Sequence, residues 1–421
     1  MGQVNGDGNL LLTDDVIAKE ALRLLKNNLV LAPLVYRNME STFAKVGDTI
    51  SLKKPFRTKT ASGRTLTKQP MVDQTVPFAI DNQEHFGLEV TVRDRTLSLE
   101  AFSERYLKSG IVQLANVVDR SIAAELKSAF FSSGTPGTAN VVKDYLYAKA
   151  YQSNVSVPDD GNRRVVCNLL DAAEISDQIA GKYNEGMVKD AIQKGYMGPL
   201  AGYDMFETQN VFNHTVGDHG GTPLSDGVTA QTGASILTNG WDNDTTGILL
   251  KGDIITFAGV YEINPQNYSS TGRLQHFVVT ADVDSGATTG PATIPISPSI
   301  NDGTLTGVDG EGASISLAAY QNVSAPVAND SAIVVMGTAN ETYRQNYAFH
   351  RDAIGLAVPE LELPGSATVK SRVTDPDSGL SLSMTGAYDV TNQSEITRID
   401  VIWGVHMIYP ELAHRLWSDE A

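Results

Sequence analysis

The 421-residue sequence predicts an α+β fold carrying a separate β-rich module, and three observations predict it. From residue 98 to 131 apolar side chains recur every three or four positions (Leu107, Ile111, Leu114, Val118, Ile122, Leu126, Ala129), which is one face of a long helix. From 395 to 410 they recur at every second position (Ile399, Val401, Trp403, Val405, Met407, Tyr409), which is a strand with one buried face. Between 216 and 342 the composition changes abruptly. Seventeen of the 37 glycines lie there among many Thr and Ser, the mark of short strands joined by turns. Helical and mixed sequence resumes on both sides, so the segment reads as an insertion.

The first element is a helix of about 12–16 residues. Thr13 is its N-cap, Asp14 and Asp15 sit where the helix dipole favours anions, and Val16, Ala21, Leu24, Leu25 and Leu29 form its stripe. Residues 47–52 and 86–93 then alternate with period two and read as the two strands of a hairpin, joined by an extended arm of over 30 residues. The helix over 98–131 follows, about 50 Å long at ~1.5 Å per residue, with Gly110 as a bend and Gly134 as its stop. Residues 171–196 are mixed helix and turn. Inside the insertion, 252–260, 275–282 and 292–296 read as strands, and a small barrel or sandwich is their economical closure. No fixed-period repeat is visible, which excludes solenoids and propellers.

The charge is uneven. The chain has 32 Lys and Arg against 49 Asp and Glu, a net −17, which excludes a basic nucleic-acid-binding domain. Yet Lys45, Lys53, Lys54, Arg57, Lys59, Arg64 and Lys68 are opposed only by Asp48, a local +6. Residues 216–340 set twelve carboxylates against Lys251 and Arg273, a local −10. With Phe56 alone available for stacking, the basic stretch reads as a protein contact in preference to a polyanion site. The single Cys167 lies in an apolar run and reads as a buried structural thiol, and the start of the chain lacks a signal-peptide layout, so a reduced folding compartment is expected. No apolar run reaches the ~18–20 residues that span a bilayer, so no membrane partner is expected.

Chemistry-bearing motifs are absent. The chain has no Walker loop, no dinucleotide-binding glycine fingerprint, no nucleophile elbow and no zincin helix, so neither catalytic residue nor cofactor is expected. Seven histidines are scattered without ligand spacing. One constellation has two readings: Asp242, Asp244 and Asp253, with Gly247, match positions 1, 3, 12 and 6 of a calcium loop. Position 12 is Asp where Glu is expected and the flanks are turn and strand, so an acidic β-turn is favoured over a weak cation site.

The collinear order of these pieces resembles the major capsid protein of tailed bacteriophages, and more narrowly the coat proteins of short-tailed Salmonella-type lambdoid phages. The stretches that carry it are 47–52 (GDTISL), 114–126 (LANVVDRSIAAEL), 201–204 (AGYD), 251–260 (KGDIITFAGV), 346–354 (NYAFHRDAI) and 402–405 (IWGV). The resemblance implies the major-capsid-protein fold of tailed phages and herpesviruses with an inserted β-barrel. It divides the chain into an N-terminal arm (1–46), an extended loop (47–88), spine helix and peripheral domain (89–134 and 360–421), axial domain (135–215 and 343–359) and insertion (216–342). Residues 216–245 and 301–315 match nothing in that family, leaving open whether they build the barrel or decorate it.

Function follows as an expectation: a non-enzymatic subunit that assembles in the bacterial cytoplasm, as hexamers and pentamers, into an icosahedral shell around the genome. Scaffolding and portal proteins are its expected partners, with packaged DNA only nearby. Lys53, Lys54, Arg57, Lys59 and Arg64 are expected to reach a neighbouring subunit, with Glu100 and Glu104 as acceptors. Asp14 and Asp15 are expected to meet the scaffold. The competing readings are an adhesin using 216–342 for recognition and a hydrolase of unrecognised site.

Overall fold

The structure, a computed structural model, describes residues 14–37, 49–60, 62–64, 66, 74–91, 107–180, 199–227, 229–308, 314–363, 365, 369–375, 379–389 and 394–421. It divides into two compact units. The first draws on the chain up to Leu52, Pro77–Glu125 and Ile354–His406; the second on Lys53–Val76, Leu126–Ala353 and Met407–Ala421.

In the first unit the opening helix spans Asp14–Asn28, and Ile17, Ala18, Ala21, Leu22 and Leu25 form its buried stripe. That stripe packs on the antiparallel strands Val369–Asp375 and Leu380–Asp389. The long strand forms as expected, over Ser394–Met407, and pairs on one side with Leu380–Asp389 and on the other with Asn82–Thr91. This second pairing corrects the expected hairpin. Residues 82–91 run beside the long strand from Asn82↔Trp403 to Thr91↔Ser394, and the partner of Thr49–Lys54 is Gln74–Ala79. Period-two alternation shows that a strand has one buried face; it does not show which strand lies beside it.

The spine helix is described over Lys108–Leu126, with Ile111, Leu114, Ala115, Val118, Ile122 and Leu126 buried; its expected start, 98–106, lies outside the described residues. It ends before the expected stop. Arg415 donates from Nη2 to the Lys127 carbonyl at 2.5 Å, and Phe130 and Phe131 leave the helix to join a cluster with Trp417, Val216 and Val278. Gly110 serves close approach: a Cβ there would lie 2.5 Å from the ring of Phe86. At mid-helix the buried Asp119 carboxylate accepts three backbone N–H groups, from Val30 (2.7 Å), Leu31 (3.1 Å) and Ala32 (3.2 Å), and so fixes the turn that follows the opening helix. Burial pushes this carboxyl up to about 6 while the three donors pull it down.

In the second unit a seven-stranded sheet runs in the order Phe131–Ser133, Ala413–Glu420, Thr342–His350, Arg163–Cys167, Tyr203–Glu207, Pro199–Leu200, with His214–Thr215 pairing the start of Thr342–His350. Helices Val142–Asn154 and Leu169–Ala180 cover it through Tyr145, Ala148, Ala172, Ile175 and Ile179. The last strand therefore belongs here rather than with the spine-helix unit, and Ile354–Ala357 pairs with the long strand of the first unit, so both boundaries differ from the sequence division. Cys167 is buried beneath Tyr145, as expected of a structural thiol.

The insertion is a six-stranded barrel ordered Ile333–Val335, Ile254–Ile263, Ser270–Val279, Ala292–Ile300, Gly233–Trp241, Gly221–Ser225. A bridge between Leu224 and Ala332, with Ser225 N donating to Ser331 O at 3.0 Å, joins the two ends of that path and removes the sheet edges. Ile236, Phe257, Phe277, Ile294 and Val327 fill the interior. Two of these strands come from 216–245, so that segment builds the barrel. By contrast, Thr306–Val308 and Ser314–Ser316 form a separate two-stranded ribbon.

Replacing Asp119 by Ala strands two fully buried N–H donors and one partly buried donor. At roughly 1–3 kcal/mol for each unsatisfied group, the loss should be on the order of 3 kcal/mol. Urea unfolding of the unassembled subunit should show a lower midpoint at unchanged slope; an unchanged midpoint would mean that the opening helix is held by its apolar stripe alone.

Candidate inter-subunit surface

The base of the basic arm is built by residues of the second unit. Beyond the strand Thr49–Lys54 the chain runs extended through Pro55, and its main chain is held on both sides. Arg57 N donates to the Tyr320 hydroxyl at 3.3 Å, and the Tyr268 hydroxyl lies 3.0 Å from Ala319 O and 3.4 Å from Thr58 O. The cations then find partners. Arg57 Nη2 lies 3.3 Å from Glu411 Oε1, and Lys54 Nζ lies 3.9 Å from Glu411 Oε2 and 4.9 Å from the centre of the Tyr409 ring. Lys59 Nζ donates to Gln321 Oε1 at 3.3 Å and sits 4.5 Å over the ring of Tyr268. Burial pushes the Lys54 ammonium down, opposed by the Glu411 charge. Exposed pairs of this kind contribute about 0–1 kcal/mol each, and a cation over an aromatic ring about as much. Together they set a direction more than they add stability.

Tyr320 and Gln321 follow shortly after 301–315, a stretch that sequence reasoning left unassigned. Asn301 and Asn322 organise it: Asn301 N donates to Asn322 Oδ1 (2.9 Å), Asn301 Nδ2 to Leu317 O (2.9 Å) and Asn322 Nδ2 to Ser299 O (2.8 Å). The density of Asn, Asp and Gly there was the available signal, since such side chains bond the local backbone and shape loops.

The other expected contact residues are dispersed. Lys53 and Arg64 are exposed, and Glu100 and Glu104 lie outside the described residues. Asp14 opens the first helix, its side chain outside the description, while Asp15 Oδ1 accepts a hydrogen bond from Ser371 Oγ at 2.7 Å.

Of the three carboxylates of the calcium-loop spacing, the last has other partners in the fold. Asp253 is buried at the base of the barrel and its carboxylate is occupied: Oδ1 by His214 Nε2 at 2.7 Å, Oδ2 by Leu250 N at 2.7 Å and Gly217 N at 3.1 Å. Among the described residues no three His, Cys, Asp or Glu side chains come together as a metal site. The spacing matched because turns use Asp and Gly as calcium loops do; the last position lies just before the strand Ile254–Ile263 and is buried.

His214 and Asp253 belong to the junction between barrel and sheet. Burial pushes the His214 imidazole down against the opposing pull of Asp253, and Trp417 packs edge-on at 5.9 Å. The buried Arg415 donates to Gly252 O at 2.6 Å, and Gly252, at φ +105°, leaves room for His214 where a Cβ would lie 3.1 Å from Cε1. Beside this node stands a second one. Ser132 N donates to His276 Nδ1 at 3.2 Å, which puts the imidazole proton on Nε2, while the Ser132 hydroxyl lies 2.9 Å from the same nitrogen. His414 Nε2 lies 2.8 Å from Ser133 Oγ, and Tyr151 stacks on the His414 ring and against Arg273. Glu262 is the carboxylate that answers Arg273, at 3.0 Å. Burial, and then the Arg273 charge, pushes His276 down to about 3 and His414 well down as well.

The family described as "P22 coat protein - gene protein 5" matches residues 8–415. Among solved structures, the chain is similar to one from Mycobacterium phage Che8 (14% identity, 92% of this chain and 90% of that chain covered, TM-score 0.46). It is also similar to the capsid of cyanophage P-SCSP1u (10%, 92% and 88%, 0.44) and to that of Ralstonia phage GP4 (8%, 92% and 88%, 0.42). No curated protein matches the chain.

Because His276 is held neutral in the fold, the unfolded chain takes the proton first. The stability this residue contributes is full above pH 6.5 and falls as pH drops toward 3. Between pH 7 and pH 5 it should cost about 2 kcal/mol. His276→Asn, whose amide oxygen can replace Nδ1 as acceptor for Ser132 N, should flatten that part of the pH dependence in urea unfolding. An equally steep profile in the variant would remove His276 as its source.

Proposed function

The chain belongs to the P22 coat protein family and is a structural subunit of a phage capsid, and from that premise we propose that it closes an icosahedral shell as hexamers and pentamers by means of its basic arm. The observation that carries this reading is the division of the arm. Its base is tied to its own subunit through Glu411, Tyr268, Tyr320 and Gln321, while Arg64 and Leu66, further along, are exposed. A loop anchored at its base and exposed at Arg64 and Leu66 is suited to a neighbour. At full extension the seven residue steps from Lys59 to Leu66 would span about 23 Å. Repeated weak heterologous contacts of this kind close rings and shells when the rotation between copies is fixed.

Family membership replaces the adhesin reading of 216–342 with a structural one. The finer partners follow the same reading: a scaffolding protein met by the opening helix at Asp14 and Asp15, a portal at one vertex, assembly in the bacterial cytoplasm, and packaged DNA enclosed by a wall of net −17 that offers little clustered cation to phosphate.

Expressed chain should migrate on size exclusion as capsomers or shells, with particles tens of nanometres across in negative stain; a strict monomer under all conditions would end this reading. Asp14→Ala with Asp15→Ala should lower scaffold incorporation and shell yield. Unchanged incorporation would remove the opening helix as the scaffold contact.

A further inference from the structure

The outer wall of the barrel carries an apolar ridge that its own subunit leaves uncovered. On the strand Gly233–Trp241, Ile236 and Thr238 point into the barrel and Leu237 points out, 53% exposed. On the adjacent strand Ser225 faces Thr238 on the inside, so Leu224, opposite Asn239, faces out. Across the closing seam Leu224 bridges to Ala332, and two residues on Val334 points out, 56% exposed. Leu237, Leu224, Ala332 and Val334 therefore lie side by side across three strands, as direct or diagonal cross-strand neighbours. Two exposed carboxylates border the ridge at one end. Asp226 donates its N–H to Leu237 O at 2.8 Å, and Asp330 donates its N–H to Ser225 O at 3.1 Å.

A partner for this surface must bring apolar area together with positive charge. A two-fold contact between two such ridges would set Asp226 and Asp330 close to their own copies, and like charges so placed oppose binding. The chain itself holds the complement. Its one strongly basic stretch, 45–68, presents the exposed Arg64 and, two residues on, Leu66 at 82% exposure. Leu237 and Val334 of the ridge and Arg64 and Leu66 of the arm are all exposed in a single subunit, so the pairing is not made within one chain. We infer that the outer barrel ridge at Leu237, Leu224 and Val334 receives the arm tip of a second copy, Leu66 against the apolar side chains and Arg64 against Asp226 and Asp330. This rests on the shell reading and names the surface on which the arm lands.

The test is trans-specific crosslinking in assembled particles. Two exposed-site variants, Leu66→Cys and Val334→Cys, the second on a tagged chain, are co-assembled, and the purified shells are oxidised. Cys167 does not compete, being buried with its thiol pushed up to about 12. The expected result is a disulfide joining one tagged and one untagged chain, present in shells and absent from unassembled subunits. Shells that give no such bridge, with either Val334→Cys or Leu237→Cys as partner, overturn the inference. So does a bridge forming within single chains of the double variant. Should the cysteines hinder assembly, Arg64→Asp decides the matter: it should lower shell yield several-fold and Asp330→Arg in the same chain should restore it. No loss, or loss without restoration, overturns the inference. If the wild-type chain forms no shells under the same conditions, the shell reading has failed instead.

Discussion

The barrel leaves the sheet it interrupts and returns to it through one pair of strands. His214–Thr215 lies antiparallel to Thr342–Tyr343, with the two threonine hydroxyls 2.9 Å apart. Two short strands form a weak hinge for a module of this size, so the barrel's attachment depends on what is buried around them. Polar groups supply it. Arg415, on the last strand, donates to Gly252 O in the barrel and to Lys127 O at the end of the spine helix, while His214 donates from the departing side to Asp253. A buried guanidinium and a buried carboxylate are costly unless their bonds are made, so rotation of the barrel would strand them. That penalty fixes the barrel where the apolar cluster of Phe130, Phe131, Ile254, Val278 and Trp417 alone would permit slippage.

The same logic explains why the arm's base has a defined course. Its backbone is held by tyrosine hydroxyls and its cations by one carboxylate, one amide and two rings, all from barrel-side or closing residues of the unit that the junction makes rigid. A fixed barrel therefore gives a fixed arm origin. The local +6 read from the sequence is thus not one property: Lys54, Arg57 and Lys59 are engaged inside the subunit, and Arg64 is exposed, as the proposed contact with a neighbour requires.

How far the sequence carried this depends on the range of the interaction concerned. The opening helix, the long strand, the barrel strands at 254–263 and 292–300 and the burial of Cys167 were legible because each is a local pattern of apolar spacing. The pairing of 82–91 with 394–407 was not, since strand alternation says nothing about a partner over 300 residues away. The end of the spine helix was missed for the same reason: Arg415, distant in sequence, caps the Lys127 carbonyl, and Trp417 draws Phe130 and Phe131 out of helical register. At the candidate surface, the basic residues were visible as a charge run. Their acceptor Glu411 and the dock at Tyr320 and Gln321 were not, because single residues carry no periodic signal.

A shell needs contacts weak enough to break while misplaced and numerous enough to hold once closed. The arm fits that requirement. Cations already engaged at its base keep the charge left for its neighbour small, and an exposed ion pair is worth about 0–1 kcal/mol. Burying one leucine adds roughly 1.5–3 kcal/mol before the cost of ordering the tip is subtracted. One such contact binds at no useful affinity. On the proposed reading, however, each subunit of a ring both gives and receives an arm, so the last subunit gains two contacts for one loss of translational freedom. Incomplete rings stay reversible and closed ones do not. Anchoring the arm's base in its own subunit strengthens that bias, because an arm already pointed loses less entropy when it lands than one that must find its direction.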